Sequence, residues 1–400
     1  MDLAIKKWYG VRKMQIDTVK LYELDSKCKC FTARVLNCEK RGDLYAVQLD
    51  KTAFYPEGGG QPADMGMLGY AHIVDVQKEK GIIIHISDSP LVVAKEVTGV
   101  LDWSRRHGFM QEHSGEHIMS GIVHSLFGFD NVGFHIGSEF VTLDFNGELN
   151  EEQLTVVQTM ANEAIYENIP IEINSYEKNL PQTYRSKKEL FGEVRIVEVP
   201  GYDVCACCGT HVTATGEIGI IKILSSQRYK GGTRVTILCG RRALANYSQK
   251  NESVHEISAL LSVKPSEVSG AAARVLDENK ALKARTTALQ EQVFRFRADA
   301  IDADYAIIFE AEYSPNELRR FCIQLCKSLR QAIVCSGNDE IGYKYALGSE
   351  KDDIRPLGIA LNAQLHGRGG GPQELVQGAL VATRAQIEAF FEARGFYSAQ

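Results

Sequence analysis

Four hundred residues at 44.4 kDa exceed what a single hydrophobic core usually serves, so two to four domains are expected. With 44% hydrophobic and 24% charged residues the chain is globular rather than disordered or fibrous, and it has no uncharged apolar run long enough for a membrane span. The net charge of −6, from 45 Lys and Arg against 51 Asp and Glu, argues against non-specific coating of nucleic acid but leaves room for a local basic face.

Residues 1–13 are basic without an apolar segment, so no secretory signal is expected. The ten cysteines follow no regular framework, and the chain reads as cytoplasmic. From residue 18 to 99 short runs at 30–36, 44–49 and 81–86 are rich in β-branched or aromatic residues and separated by turns. They predict a small N-terminal β-barrel over 14–100, interrupted by Phe54-Tyr55-Pro56-Glu57-Gly58-Gly59-Gly60-Gln61-Pro62. Helical periodicity begins at 105–126 and returns at 151–167 behind the capping residue Asn150. Strands at 195–199, 219–224 and 234–238 complete an α+β domain over 101–247 that contains the cysteine cluster.

After Tyr247 the pattern changes again. Val268, Val275, Leu282, Leu289 and Phe296 recur every seven residues, with Ala272, Asn279, Thr286 and Val293 filling the second seam position. This predicts a helical hairpin or coiled-coil oligomerisation segment over 248–300, with a second copy of the chain as the expected partner; a long helix packed on its own domain gives the same pattern. Residues 301–400 alternate strand and helix and form a small α/β domain around Gly367-Arg368-Gly369-Gly370-Gly371-Pro372. That loop either offers backbone N–H groups to phosphate or simply joins two elements. The fold class is therefore α+β and multidomain.

Two constellations carry chemistry. His113 and His117 stand four apart on a predicted helix, so both imidazoles reach one ion. A zinc peptidase would need its acid directly after the first histidine, where Ser114 stands instead, with the carboxylate at Glu116. The second constellation is Cys205-Ala206-Cys207-Cys208-Gly209-Thr210-His211. Cys207 and His211 added to the two histidines make four N and S donors, the number and softness that Zn2+ prefers, with Cys205 and Cys208 as competing ligands. For nucleic acid, 218–251 contains no acid and carries Lys222, Arg228, Lys230, Arg234, Arg241 and Arg242; Arg105, Arg106, Arg185, Lys187 and Lys188 extend it.

Three motifs in order, Thr52-Ala53-Phe54-Tyr55-Pro56-Glu57-Gly58-Gly59-Gly60-Gln61-Pro62-Ala63-Asp64, then His113-x-x-x-His117, then Cys207-x-x-x-His211-Val212, resemble the alanyl-tRNA editing proteins and the editing domain of alanyl-tRNA synthetase. The part after Tyr247 resembles the C-terminal region of the same synthetases, with a DHH-associated type of glycine-rich domain. The resemblance implies a zinc-dependent ester hydrolase, holding Zn2+ through His113, His117, Cys207 and His211, that clears serine, and glycine as a second candidate, from mischarged alanine tRNA. It implies further that Thr52 and Gln61 line the amino-acid pocket. Gly58, Gly59 and Gly60 then either admit the RNA end or make a tight turn. Only residues 1–17 precede the β-rich part, too few for an aminoacylation core, so action in trans is expected. Cys208 departs from the family's glycine, at a position expected to favour left-handed backbone. The alternative reading is a non-catalytic tRNA-binding or oligomerisation module with a structural zinc.

Overall fold

The computed structural model describes residues 18–177, 181, 183–186 and 192–398. Lys187, Lys188 and residues 1–17 lie outside them. The chain divides into two compact units, Met1–Val254 and His255–Gln400.

The first unit holds a barrel of six strands, β1 (Cys30–Arg41), β2 (Leu44–Leu49), β3 (Gly66–Leu68), β4 (Ala71–Glu79), β5 (Ile82–Ser87) and β6 (Glu96–Leu101), beside a short parallel pair formed by Val19–Lys20 and Lys51–Thr52. They pair antiparallel in the ring β1-β2-β5-β4-β3-β6, and β6 returns to β1, so no strand edge is left open. Alternation puts Phe31, Ala33, Val35, Val47, Leu49 and Ile73 inside, packed against Phe54 and Leu68. The glycine-rich segment is a tight turn. Gly58 and Gln61 exchange both backbone hydrogen bonds at 3.1 and 3.0 Å, with positive φ at Gly59 (59°) and Gly60 (82°) between them.

Helix α1 (Trp103–Phe127) follows, capped by Asp102, whose carboxylate accepts from the Arg105 amide at 3.1 Å, and ended by left-handed Gly128. Strands β7 (Asn131–Ile136) and β8 (Val141–Phe145) lead to α2 (Glu151–Glu167), which carries an Asn150–Gln153 capping box. Next come β9 (Glu172–Tyr176), β10 (Val194–Val199) and β11 (Asp203–Ala206), a three-stranded antiparallel sheet. Strands β12 (Ile221–Tyr229) and β13 (Gly232–Cys239) then join β8 and β7 in the order β12-β13-β8-β7. One core unites α1, α2 and these sheets through Ile118, Met119, Leu143, Val157, Val197 and Ile237.

Arg106 fixes α1 to the barrel. It is fully buried, its Nε and Nη2 donate to Asp64, and Nη2 also donates to the Ala53 carbonyl at 2.6 Å. A buried arginine closed on a carboxylate cannot reach RNA, so Arg106 leaves the group of nucleic-acid candidates.

Helix α3 (Gly240–Leu261) runs past the end of the first unit. The second unit continues with α4 (Val268–Asp299), β14 (Tyr305–Glu310), α5 (Pro315–Cys326), β15 (Gln331–Asn338), β16 (Gly342–Gly348), α6 (Arg355–Gln364), β17 (Arg368–Gly370), β18 (Leu375–Leu380), α7 (Arg384–Glu392) and β19 (Tyr397–Ser398). Its sheet has the order β17-β18-β16-β15-β14-β19. The glycine-rich stretch at 367–371 supplies β17, an edge strand paired with β18. Helix α4 buries Ala271, Phe294 and Ala298, whereas the heptad residues Val275, Leu282, Leu289, Val293 and Phe296 are exposed.

Candidate metal centre

Helix α1 supplies His113 and His117 one turn apart, and the loop after β11 supplies Cys207 and His211. One donor atom from each lies within 4.8 Å of the other three. Cys207 Sγ stands 3.3 Å from His113 Nε2 and 3.4 Å from His211 Nε2. Zinc bonds of about 2.0 Å to nitrogen and 2.3 Å to sulfur put neighbouring tetrahedral ligands roughly 3.3–3.6 Å apart, so the donor set fits that ion in number, chemistry and spacing.

Each imidazole is aimed from behind. His113 Nδ1 lies 2.9 Å from Gln61 Oε1, His117 Nδ1 2.8 Å from Asp203 Oδ2, and His211 Nδ1 3.2 Å from Ser114 Oγ. The partners are held in turn. Gln61 Oε1 accepts from the Thr210 amide at 3.2 Å and Gln61 Nε2 donates to Thr210 Oγ1 at 2.9 Å. Arg185 donates to Asp203 from Nε and Nη2 at 2.7 and 2.8 Å, and the Val212 amide donates to Ser114 Oγ at 3.2 Å. Nδ1–H donating outward leaves Nε2 facing the shared point, the tautomer a metal ligand needs. Gly209 is required by contact: a Cβ there would fall 2.1 Å from His113 Cε1.

Burial pushes the Cys207 thiol up, but the imidazoles of His113 and His211 outweigh it and hold the thiol well below its usual range. Burial lowers His211 to about 3 and keeps that ring neutral. His117 goes the other way. Burial opposes its charge, yet Asp203 and Cys207 together raise it well above the usual histidine value. Thiolate and carboxylate thus attract positive charge to this point, supplied by a proton in the protein alone and exchangeable for a divalent ion.

The remaining sequence candidates separate. Gln61 joins the centre behind His113. Thr52, fully buried, is bonded to His85 Nε2 at 2.8 Å and accepts from the Phe54 amide at 3.1 Å, and to none of the four. Glu116 accepts from Ser120 and Asn131. Cys205 is buried, its thiol pushed up to about 11 chiefly by desolvation, and its Sγ lies within 4.8 Å of donor atoms of His117 and Asp203, a second group able to hold an ion. Cys208 is exposed with ordinary backbone, because it is not among the residues with positive φ; the expected left-handed geometry is not needed there. Among the basic residues, Arg234 closes on Asp144 at 2.6 and 2.7 Å, Arg185 on Asp203, and Arg242 on the Gly137 and Ser138 carbonyls. Lys222, Arg228, Lys230 and Arg241 stay exposed.

Two family models match: the threonyl and alanyl tRNA synthetase second additional domain over 194–236, and class II (A) tRNA synthetases over 14–105. The alanyl-tRNA editing protein AlaX-L of Pyrococcus horikoshii is 29% identical over 395 residues, covering 92% of this chain and 96% of that one. The chain is thus similar along most of its length to a protein named as an alanyl-tRNA editing protein. A second, Aarsd1-A of Xenopus laevis, is 32% identical over 246 residues, 60% of each chain. The alanine–tRNA ligase of Natronomonas pharaonis is 30% identical over 90% of this chain, which spans only 42% of that ligase.

Sequence reasoning missed Asp203 and Ser114 behind the ligands, Thr210 behind Gln61, and the buried His85 behind Thr52. Ser114 was visible between the two histidines, and its cue is the need of every ligand imidazole for an Nδ1 acceptor. Nothing local distinguishes Asp203 from a surface acid, since its partner His117 is 86 residues away.

Proposed function

We propose that the chain is a trans-editing hydrolase that deacylates alanine tRNA mischarged with serine, with glycine a second candidate substrate, and that it depends on zinc. The observation that carries this reading is the convergence of His113, His117, Cys207 and His211, each imidazole backed at Nδ1 by a separate acceptor. Support comes also from relatives named as alanyl-tRNA editing proteins.

The four residues would hold the ion, which when bound supplies Lewis-acid charge for orienting or polarising an ester. The chain's own groups do the rest. Gln61, Asp203 and Ser114 fix three rings so that no reorganisation is needed when substrate arrives. His211 lies in the cluster beside Cys207, and we assign it as the weakest of the four ligands, the one able to yield an open position. Thr52 accepts from the Phe54 amide and donates to neutral His85, which leaves one lone pair on its hydroxyl. That lone pair suits the hydroxyl of serine, and alanine has nothing to offer it.

Exposed Lys222, Arg228, Lys230 and Arg241 are the proposed phosphate contacts, and the exposed seam of α4 supports pairing with a second copy. No described helix is long and apolar enough to cross a membrane. The test is release of serine and of alanine from charged alanine tRNA, with and without chelator. Chelator-sensitive release of serine that spares alanine supports the enzyme. Binding of tRNA without turnover supports the alternative, a module with a structural zinc.

A further inference from the structure

The second unit has a cavity of about 750 Å3 of its own. It lies where three mutually parallel strands, β14, β15 and β18, come to their ends, and Ala311, Gly337 and Val381 line it there. In an open α/β sheet the crevice outside the carboxyl ends of the strands is the usual place for a ligand.

One row across the sheet forms a side of this cavity. Ser336 on β15 stands opposite Lys344 on β16, Lys344 opposite Ala379 on β18, and Ala379 opposite Arg368 on β17. Residues directly opposite one another share a face of the sheet, and all four line the cavity. Lys344 and Arg368 are therefore two strand spacings apart, about 9–10 Å between their backbones. Only the methyl group of Ala379 stands between them, so both long side chains can lean over the same gap. His366 adds an imidazole to the lining.

These groups are open to solvent and uncommitted. Lys344, His366 and Arg368 are all exposed, and among the described residues none of them has a hydrogen-bond or ion-pair partner. Two acids line the cavity as well. Glu317 is engaged in the cap of α5, accepting from the Ser314 amide at 2.8 Å and from Gln290, which leaves Glu312 as the one uncommitted carboxylate there. Positive charge is thus in excess. The lining is also apolar in one place: Ile341 and Val381 are 82% and 76% exposed, and the register pairing Tyr343 with Leu380 brings them to the same end of β16 and β18. A ligand that covers them carries apolar or aromatic surface beside its negative charge.

We propose that this cavity binds a phosphate monoester on an apolar or aromatic body, the chemistry of a nucleoside monophosphate. Lys344 and Arg368 take the phosphate, and Ile341 and Val381 lie against the body. A monoester carries about −1.5 to −2 charges at neutral pH, which two cations match better than they match the single charge of a diester. The arginine fork takes two oxygens and the lysine acts as a point charge. The volume falls within the range of about 300–1,000 Å3 usual for small-ligand sites. The proposal is independent of the chemistry at the metal centre.

The experiment is titration calorimetry of the full chain with adenosine 5′-monophosphate, adenosine and a short oligoadenylate that ends in a 5′-hydroxyl. The monophosphate binds, and adenosine binds at least about 10-fold more weakly, the worth of a charge-assisted contact. Lys344→Gln and Arg368→Gln each weaken the monophosphate by about 5- to 30-fold, and the double variant abolishes this site. Neither change moves the urea midpoint, because both side chains are exposed and unpaired. Adenosine binding as tightly as its monophosphate, or a double variant that binds the monophosphate with undiminished affinity and stoichiometry, overturns the proposal. An oligoadenylate that binds as tightly as the monophosphate, and is lost in the same variants, assigns the row to the diesters of an RNA strand and overturns the monoester reading. A shifted urea midpoint shows the two cations already engaged in the fold and removes the premise.

Discussion

Gln61→Met removes an acceptor from the centre while keeping the volume of the side chain. In the folded chain Gln61 has no solvent exposure and makes three contacts, with His113 Nδ1, the Thr210 amide and Thr210 Oγ1. Methionine orphans two of those donors, His113 Nδ1–H and the Thr210 N–H, where no solvent reaches. At about 1–3 kcal/mol for each buried unsatisfied donor, the stability loss lies at about 2–6 kcal/mol, with relaxation favouring the lower half. For the metal, loss of the group that orients a histidine ligand lowers affinity by about 10- to 100-fold. Gln61→Glu, which keeps an acceptor for His113, recovers most of that loss. The assay is competition for zinc against a chelator of known affinity, with urea unfolding of the zinc-free proteins to separate stability from binding. If Gln61→Met binds zinc within about threefold of the unaltered protein, the tautomer argument fails at His113.

Arg106→Met leaves Asp64 charged and buried; it lowers stability by about 3–5 kcal/mol in urea unfolding, and pairing it with Asp64→Asn restores part of the loss. A single-variant loss below about 1 kcal/mol would contradict the view that this pair joins barrel and helix. For pH dependence, burial lowers His85 to about 4 in the fold against about 6.5 in the unfolded chain, although the Val47 carbonyl accepting from Nδ1 opposes the shift. Between those values the unfolded state binds the extra proton, so stability is full above about pH 6.5 and falls by up to about 3 kcal/mol as pH drops towards 4. His85→Gln removes this contribution, and the stability gap between variant and unaltered protein narrows from pH 7 to pH 4.5; a gap independent of pH would refute it.

Local pattern carried further for ligands than for what surrounds them. The i, i+4 spacing of His113 and His117 on an amphipathic run, and of Cys207 and His211 in a turn-rich loop, marks both pairs within a few residues. Helices at 105–126 and 151–167 were readable because caps and apolar periodicity are local; they appear as α1 and α2 with ends at Trp103–Phe127 and Glu151–Glu167. What periodicity hid is the polar interior of α1. Gln111, Glu112, His113, Ser114, Glu116, His117 and Ser120 are all buried on that helix. Their partners come from elsewhere: Gln61 in the barrel turn, Asn131 on β7, Asp203 on β11 and the Cys239 amide on β13. A buried polar residue and an exposed one look alike until the fold brings up a partner. The same limit governs the basic residues. Arg106, Arg185 and Arg234 read as cations available to RNA, and each instead meets an aspartate 18 to 90 residues away. On α4 the heptads were plain, but a repeat does not say what covers it.

The central claim is that two segments 90 residues apart, from His117 to Cys207, close around one ion. Diffraction from crystals of the zinc-loaded protein, recorded on both sides of the zinc absorption edge, tests this most directly. The account predicts a single strong anomalous peak within bonding distance of Cys207 Sγ and the Nε2 atoms of His113 and His117, with His211 at equal or longer range. An anomalous map with no peak among those side chains, or with the zinc held by Cys205 and Cys208 instead, would contradict it.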